Sequence, residues 1–256
     1  MKNKGKKVLY FLFRIVYSVV DPFKFYFGLT GYFWYIRDIF IFNKKSKTEK
    51  IKLDLNIFPV LNEKTNYTPF DSAYYYQQLW AFEKILKNNP KEHVDIASTY
   101  QFSGYVSKIT KTVFIDYRPI KTKLKNLEII QADILNLPFT DNSKLSVSCL
   151  HVIEHIGLGR YGDNIDPEGY KKAINELQRV VAPLGKLYIS TPVGVSRLYF
   201  NAHRIFDPEY IIKLFDKCKL VEFSLVNDNG DFLENVDISM AKNKDYACGM
   251  YVFEKL

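Results

Sequence analysis

Long apolar runs, paired cysteines and low-complexity tracts are all missing from this sequence of 256 residues. The apolar stretch Val8 to Val20 holds 13 residues and is broken by Arg14. A membrane-crossing helix needs roughly 20 apolar residues, so this stretch is too short to span a bilayer alone. No small-x-small cleavage site follows in Tyr17-Ser18-Val19-Val20-Asp21-Pro22, which argues against a secretory leader. Cysteine is scarce: Cys149, Cys218 and Cys248 are odd in number and lack metal-knuckle spacing, so buried thiols in a reducing, cytoplasmic compartment are expected. Net charge is missing from most of the chain. Residues 1–50 hold 11 Lys and Arg against 3 Asp and Glu, and the remainder holds 25 of each. A neutral body argues against a nucleic-acid partner, and a basic N-terminal segment argues for an anionic surface as its partner.

What is present suffices for a large core, since 47% of the residues are hydrophobic. Residues 1–50 form a basic, aromatic-rich helical appendage, 51–69 a linker and 70–256 the main domain. In the appendage, Leu9, Leu12, Phe13, Val16 and Val20 share one helical face, and residues 23–42 mix aromatics with Lys24 and Arg37. Such a face suits the headgroup boundary of a membrane, at its inner surface, and equally suits packing on the main domain or a second subunit. Asp71 is the expected cap of a helix over 72–88 with Tyr75, Leu79, Phe82 and Leu86 on one side. Strands read at 93–97, 112–116, 127–131, 145–150 and 187–190, with helices from about 102, over 166–182 and over 208–218. Two further strands, near 220–226 and 246–254, complete an α/β pattern.

The chain is organised around Leu145 to Pro192. There a strand meets His151-Val152-Ile153-Glu154-His155 and a loop, Gly157 to Gly162, before a helix and another strand. VIEH followed by APLG resembles class I S-adenosylmethionine-dependent methyltransferases, in which a strand ends in an LEH-type turn and a helix leads through L-x-P-G-G into the next strand. HVIEHIGLGRYGD and FNAHRIF resemble a family of unknown function first catalogued from nematode proteins and also found in bacteria. The resemblance covers roughly residues 70–256. It implies a Rossmann-like, seven-stranded methyltransferase sheet with helices on both faces.

A nucleotide-type site needs a tight turn after its first strand and an acid after its second. Asp95 to Gln101 occupies the turn and Asp116 follows 21 residues after Asp95. In the resembled superfamily this turn reads D-x-G-x-G, with Ala97 and Thr99 here at the glycine positions. The resemblance assigns Asp95, Ala97, Thr99, Asp116, Asp133 and Ile134 to S-adenosylmethionine; as plain residues, Asp116 and Asp133 also suit capping of loops. Branched Thr99, where backbone should pass close to the ligand, motivates an alternative: a cofactor-less, membrane-associated binding or assembly protein.

His151, Glu154 and His155 at i, i+3, i+4 fall on one helical face, and His203 follows the fifth strand. Some methyltransferases of this class carry E-x-x-E-H here and another histidine later, which implies a divalent cation held by His151, Glu154, His155 and His203. The cation would acidify a substrate hydroxyl, with His155, His151 or Asp163 taking the proton. Without a cation, Glu154 and His155 read as a buried hydrogen-bonded pair. H-x-x-E-H is also a metalloprotease pattern, which requires a long helix through it. The leading expectation is O-methylation of a hydroxyl acceptor such as a sugar of a surface glycan.

Overall fold

The computed structural model describes residues 13–17, 19–46 and 58–256, which fall in two units, 1–69 and 70–256. Lys2, Lys4, Lys6 and Lys7, Leu9 and Leu12 of the expected helix face, and linker residues 51–57 lie outside the described residues.

In the first unit, Asp21 accepts hydrogen bonds from the backbone N–H groups of Phe23 and Lys24 at 3.0 Å and so caps helix α1, Pro22–Lys45. Pro22 fills the first helical position, where no N–H partner is needed, and Lys44 and Lys45 meet the negative end of the helix dipole. Gly31 lets Leu61 approach: a Cβ there would lie 2.9 Å from Leu61 Cβ. Lys64 completes this contact, 2.9 Å from the Asp38 carboxylate and 4.2 Å from the Trp34 ring centre. Among the described residues, no helix is long and apolar enough to cross a membrane.

The second unit opens with α2, Ser72–Asn88, capped by Asp71 and closed by left-handed Asn89. Its buried face is Gln77, Trp80, Ala81 and Ile85. The expected face was a different one: Tyr75, Leu79 and Leu86 are exposed. The helix is apolar on two sides, and Trp80 and Ile85 fill the space over the sheet better than the tyrosine side does.

β1 (Glu92–Ile96), α3 (Tyr100–Val106), β2 (Lys111–Asp116), β3 (Leu127–Gln131) and β4 (Lys144–Leu150) follow in turn. After them come α4 (Gly169–Val180), β5 (Val181–Val193), a ribbon of β6 (Arg197–Tyr199) and β7 (His203–Ile205), and α5 (Pro208–Leu214). β8 (Cys218–Val226), β9 (Phe232–Leu233) and β10 (Ala247–Lys255) end the sequence of elements. The main sheet runs β3-β2-β1-β4-β5-β10-β8-β9, parallel through β5 and antiparallel beyond it. It has eight strands where seven were expected; the eighth, β9, adds two residues at the β8 edge.

Alternation along the central strands splits the core in two. Leu187, Ile189, Tyr251 and Phe253 point to the side of α4 and α5, whereas Tyr188, Met250 and Val252 join Trp80, Ile85 and Phe102 on the side of α2 and α3. Helices thus cover both faces. α4 is shorter than the expected 166–182: Asp166 accepts from the Glu168 N–H and holds a turn before the helix, and Val181 already pairs with Lys144 as strand. All three cysteines are buried and unpaired by disulfide.

Candidate active site

A cavity of about 480 Å³ lies at the carboxyl ends of β1 to β4, the usual crevice of an open α/β sheet. One wall holds Ile96, Ala97, Asp116, Tyr117, Asp133 and Ile134, and the other His151, Val152, His155, Ile156, Tyr161 and Asp163.

On the first wall, Ala97 takes φ 52°, the left-handed region that glycine usually occupies, and its N–H donates to Ile115 O at 2.7 Å. Alanine therefore follows the backbone course of a glycine turn. Thr99 does not line the cavity. Its hydroxyl accepts from Phe102 N–H and caps α3, and neighbouring Tyr100 is exposed. Asp116 Oδ1 accepts from the Arg118 N–H at 2.6 Å, and Asp133 Oδ1 from the Leu135 N–H at 2.9 Å, so each carboxylate is held at its strand end. Both acids and the apolar Ile96, Ala132 and Ile134 line this side of the cavity, a set of groups chemically compatible with a nucleoside.

Asp95 also stays out of the cavity lining. It is fully buried, and its Oδ1 accepts from the Ser98 and Ser148 hydroxyls, both at 2.6 Å, while Oδ2 has no partner. Burial pushes this carboxyl up to about 7 despite the two serines, with Asp116 adding to the rise. Ser148 also meets His93 Nε2 at 2.9 Å, and burial pushes that imidazole down to about 3, so it is neutral. Asp95 thus ties β1 to β4 beneath the turn.

On the second wall the expected helix through His151 to His155 is absent. His151 takes φ 54° at the end of β4, its N–H donating to Ser190 O at 3.0 Å, and only one 3₁₀ turn, Ile153–His155, follows. Gln77 accepts from the Ser190 hydroxyl and braces the joint. The metalloprotease geometry fails here, because it requires a continuous helix. The cation site fails for a related reason. His151 Nδ1 lies 3.2 Å from Glu154 Oε1 and its Nε2 3.2 Å from Cys248 Sγ, while His155 Nδ1 meets Ala202 O at 2.6 Å. His203 sits on β7 with its ring 6.4 Å from that of His155. These nitrogens are engaged by other partners, and among the described residues no group of three or more His, Cys, Asp and Glu is arranged to hold a metal ion.

Glu154 is fully buried and neither carboxylate oxygen makes a hydrogen bond. Its neighbours are the imidazoles: His151, and His155 Nε2 at 3.8 Å. Burial opposes charge on His151, yet Cys248 and Glu154 outweigh it and hold the ring well above its ordinary value. His155 goes the other way: burial, only partly offset by Glu154, lowers it. A carbonyl can only accept, so His155 Nδ1 carries the proton toward Ala202 and Nε2 is the free base. Asp163 is committed elsewhere. Its oxygens accept from the N–H groups of Gly157 at 2.8 Å, Tyr161 at 3.2 Å and Gly159 at 3.3 Å, which shapes the loop in place of the proton transfer expected of it. Tyr117 and Arg118 also line the cavity, although no motif marks them in the sequence. The Arg118 guanidinium lies 4.7 Å from the Tyr161 ring centre, joining the two walls. Only the position of Tyr117, directly after the strand-end acid, was a usable signal.

A family model described as "Caenorhabditis protein of unknown function, DUF268" matches residues 93–246. An uncharacterized protein of Methanocaldococcus jannaschii is 34% identical over 97 residues, which is 37% of each chain; this chain thus spans 37% of the length of that curated relative. Among solved structures, the Burkholderia thailandensis 1,6-didemethyltoxoflavin-N1-methyltransferase with bound S-adenosylhomocysteine is similar at TM-score 0.52 and 12% identity, over 72% of this chain and 79% of that one. The [4+2]-cyclase SpnF is similar at TM-score 0.50 and 12% identity, over 71% and 81%. These likenesses establish a Rossmann-like methyltransferase fold, a fold that carries more than one chemistry.

Proposed function

We propose a function for a chain that belongs to the DUF268 family, the Caenorhabditis proteins of unknown function: it is an S-adenosylmethionine-dependent methyltransferase acting on a hydroxyl acceptor, such as a sugar of a surface glycan. The observation that carries this reading is one cavity with two roles on its walls, Asp116 and Asp133 on one side and the His155 base on the other. The structural relative with bound S-adenosylhomocysteine supports the choice of cofactor. When bound, S-adenosylmethionine supplies a methyl carbon on a cationic sulfur. Asp116 would hold its ribose hydroxyls and Asp133 its adenine amino group, and the Ala97 turn leaves backbone room beside them.

His155 Nε2 takes the acceptor's hydroxyl proton as the oxygen becomes nucleophilic, and buried Glu154 stabilises the imidazolium that results. Tyr161, Asn164 and Asp166 give that end aromatic and hydrogen-bonding surfaces suited to a polyhydroxylated acceptor. Much of the acceleration then comes from alignment within the crevice.

Calorimetric titration with S-adenosylmethionine and S-adenosylhomocysteine tests the cofactor reading. Micromolar binding, about −8 kcal/mol, is expected for the native chain and not for Asp116→Ala. A folded protein that binds neither ligand would overturn the proposal in favour of a binding or assembly role.

A further inference from the structure

Helix α1 has one covered side and one bare side. Gly31, Trp34 and Asp38, at i, i+3, i+7, meet Leu61 and Lys64. On the opposite side Phe25, Leu29, Phe33, Ile36 and Phe40 recur at i, i+4, i+8, i+11, i+15, and every one is exposed, Phe33 at 81% and Phe40 at 70%. At about 1.5 Å per residue the five form a strip roughly 22 Å long. Water-soluble surfaces rarely tolerate such a strip without a partner.

We infer that the bare strip of α1 docks in the plane of an anionic lipid bilayer, its aromatic and aliphatic side chains below the headgroups and the cations flanking it, Arg37 and Lys44, at headgroup level. Charge selects this occupant. Lys24 stands in the first turn of α1, Arg37 beside the strip, and Lys44 and Lys45 in the last turn, within a segment whose balance of 11 cations to 3 acids supplies the chain's whole excess. Two of those acids are committed, Asp21 to the cap and Asp38 to Arg37 and Lys64. Phenylalanine, tyrosine and tryptophan interleaved with cations is the composition that lies at the headgroup boundary, with long cationic stems reaching out to phosphates.

The inference concerns the first unit and does not depend on the cofactor reading. Flotation of the full chain with vesicles of phosphatidylcholine alone, or of phosphatidylcholine mixed with phosphatidylglycerol, tests it. The protein is expected to float with the mixed vesicles at low salt and to be released by salt, with weaker binding by roughly fivefold for each headgroup-level cation neutralised. Phe33→Glu with Phe40→Glu should lower partition by about tenfold or more, with an unchanged circular dichroism spectrum because both side chains already face solvent. Failure of the native chain to float with either vesicle overturns the inference, as does a double variant that floats as well as the native chain. A dimer in sedimentation that the double variant dissolves, with no vesicle binding, would assign the strip to a second copy instead.

Discussion

Two buried carboxylates, one at each side of the cavity, show how the same group can be built in for different ends. Asp95 at the end of β1 is surrounded by neutral donors, Ser98 and Ser148, and by a neutral His93. Glu154, past the end of β4, has no hydrogen bond and is flanked by imidazoles, one of them held well above its ordinary value. Around Asp95 burial favours the neutral acid; around Glu154 the protein sets two imidazoles, His151 and His155. The first solution makes a tie under a turn, and the second sets a carboxylate beside two imidazoles at the cavity edge.

The two carboxylates differ most in what their removal costs, and Glu154 is expected to cost more. Glu154→Ala should cost about 3 to 5 kcal/mol in urea denaturation, because it leaves the buried His151 without its carboxylate. In a His151→Ala background the same change should cost much less, and equal costs in both backgrounds would refute the pairing.

Asp95 sharpens the contrast through pH. Its carboxyl is raised from 3.8 to about 7 on folding, so the folded state binds the proton more tightly than the unfolded state does. The contribution to stability is full below about 3.8 and is lost as pH rises to about 7, by no more than about 4 kcal/mol. Asp95→Asn should flatten that part of the stability profile. If the variant follows the native slope, the carboxyl does not titrate as described. A smaller effect belongs to the turn above it. Ala97→Gly should add about 1 kcal/mol or slightly less to the melting free energy, by relieving an alanine at φ 52°.

Most of the sheet was legible because strand alternation and helix periodicity are local properties. That Asp116 and Asp133 share one crevice was expected from the resemblance to the methyltransferase superfamily, and both line the cavity. The phase of α2 was not legible: Tyr75, Leu79 and Leu86 form as good an apolar row as Trp80, Ala81 and Ile85, and only the sheet beneath chooses between them. Thr99 read as an obstacle until the start of α3 gave its hydroxyl an N–H to cap. The histidines illustrate a longer-range limit. Spacing in HVIEH suggested a helical face, but left-handed His151 breaks it, and the partners that redirect the imidazoles come from Ala202 and Cys248, far along the chain.

The position of β10 has a consequence for assembly. It is the last strand in chain order, yet it lies inside the sheet between β5 and β8 and brings Cys248 against His151. During synthesis, β5 and β8 must wait with a vacant slot between them until residues 247–255 emerge from the ribosome. A nascent chain can form the parallel half of the sheet and the first wall of the crevice, but not the finished second wall. A chain shortened before residue 247 would therefore lack both the strand that joins β5 to β8 and the Cys248 contact that seats His151.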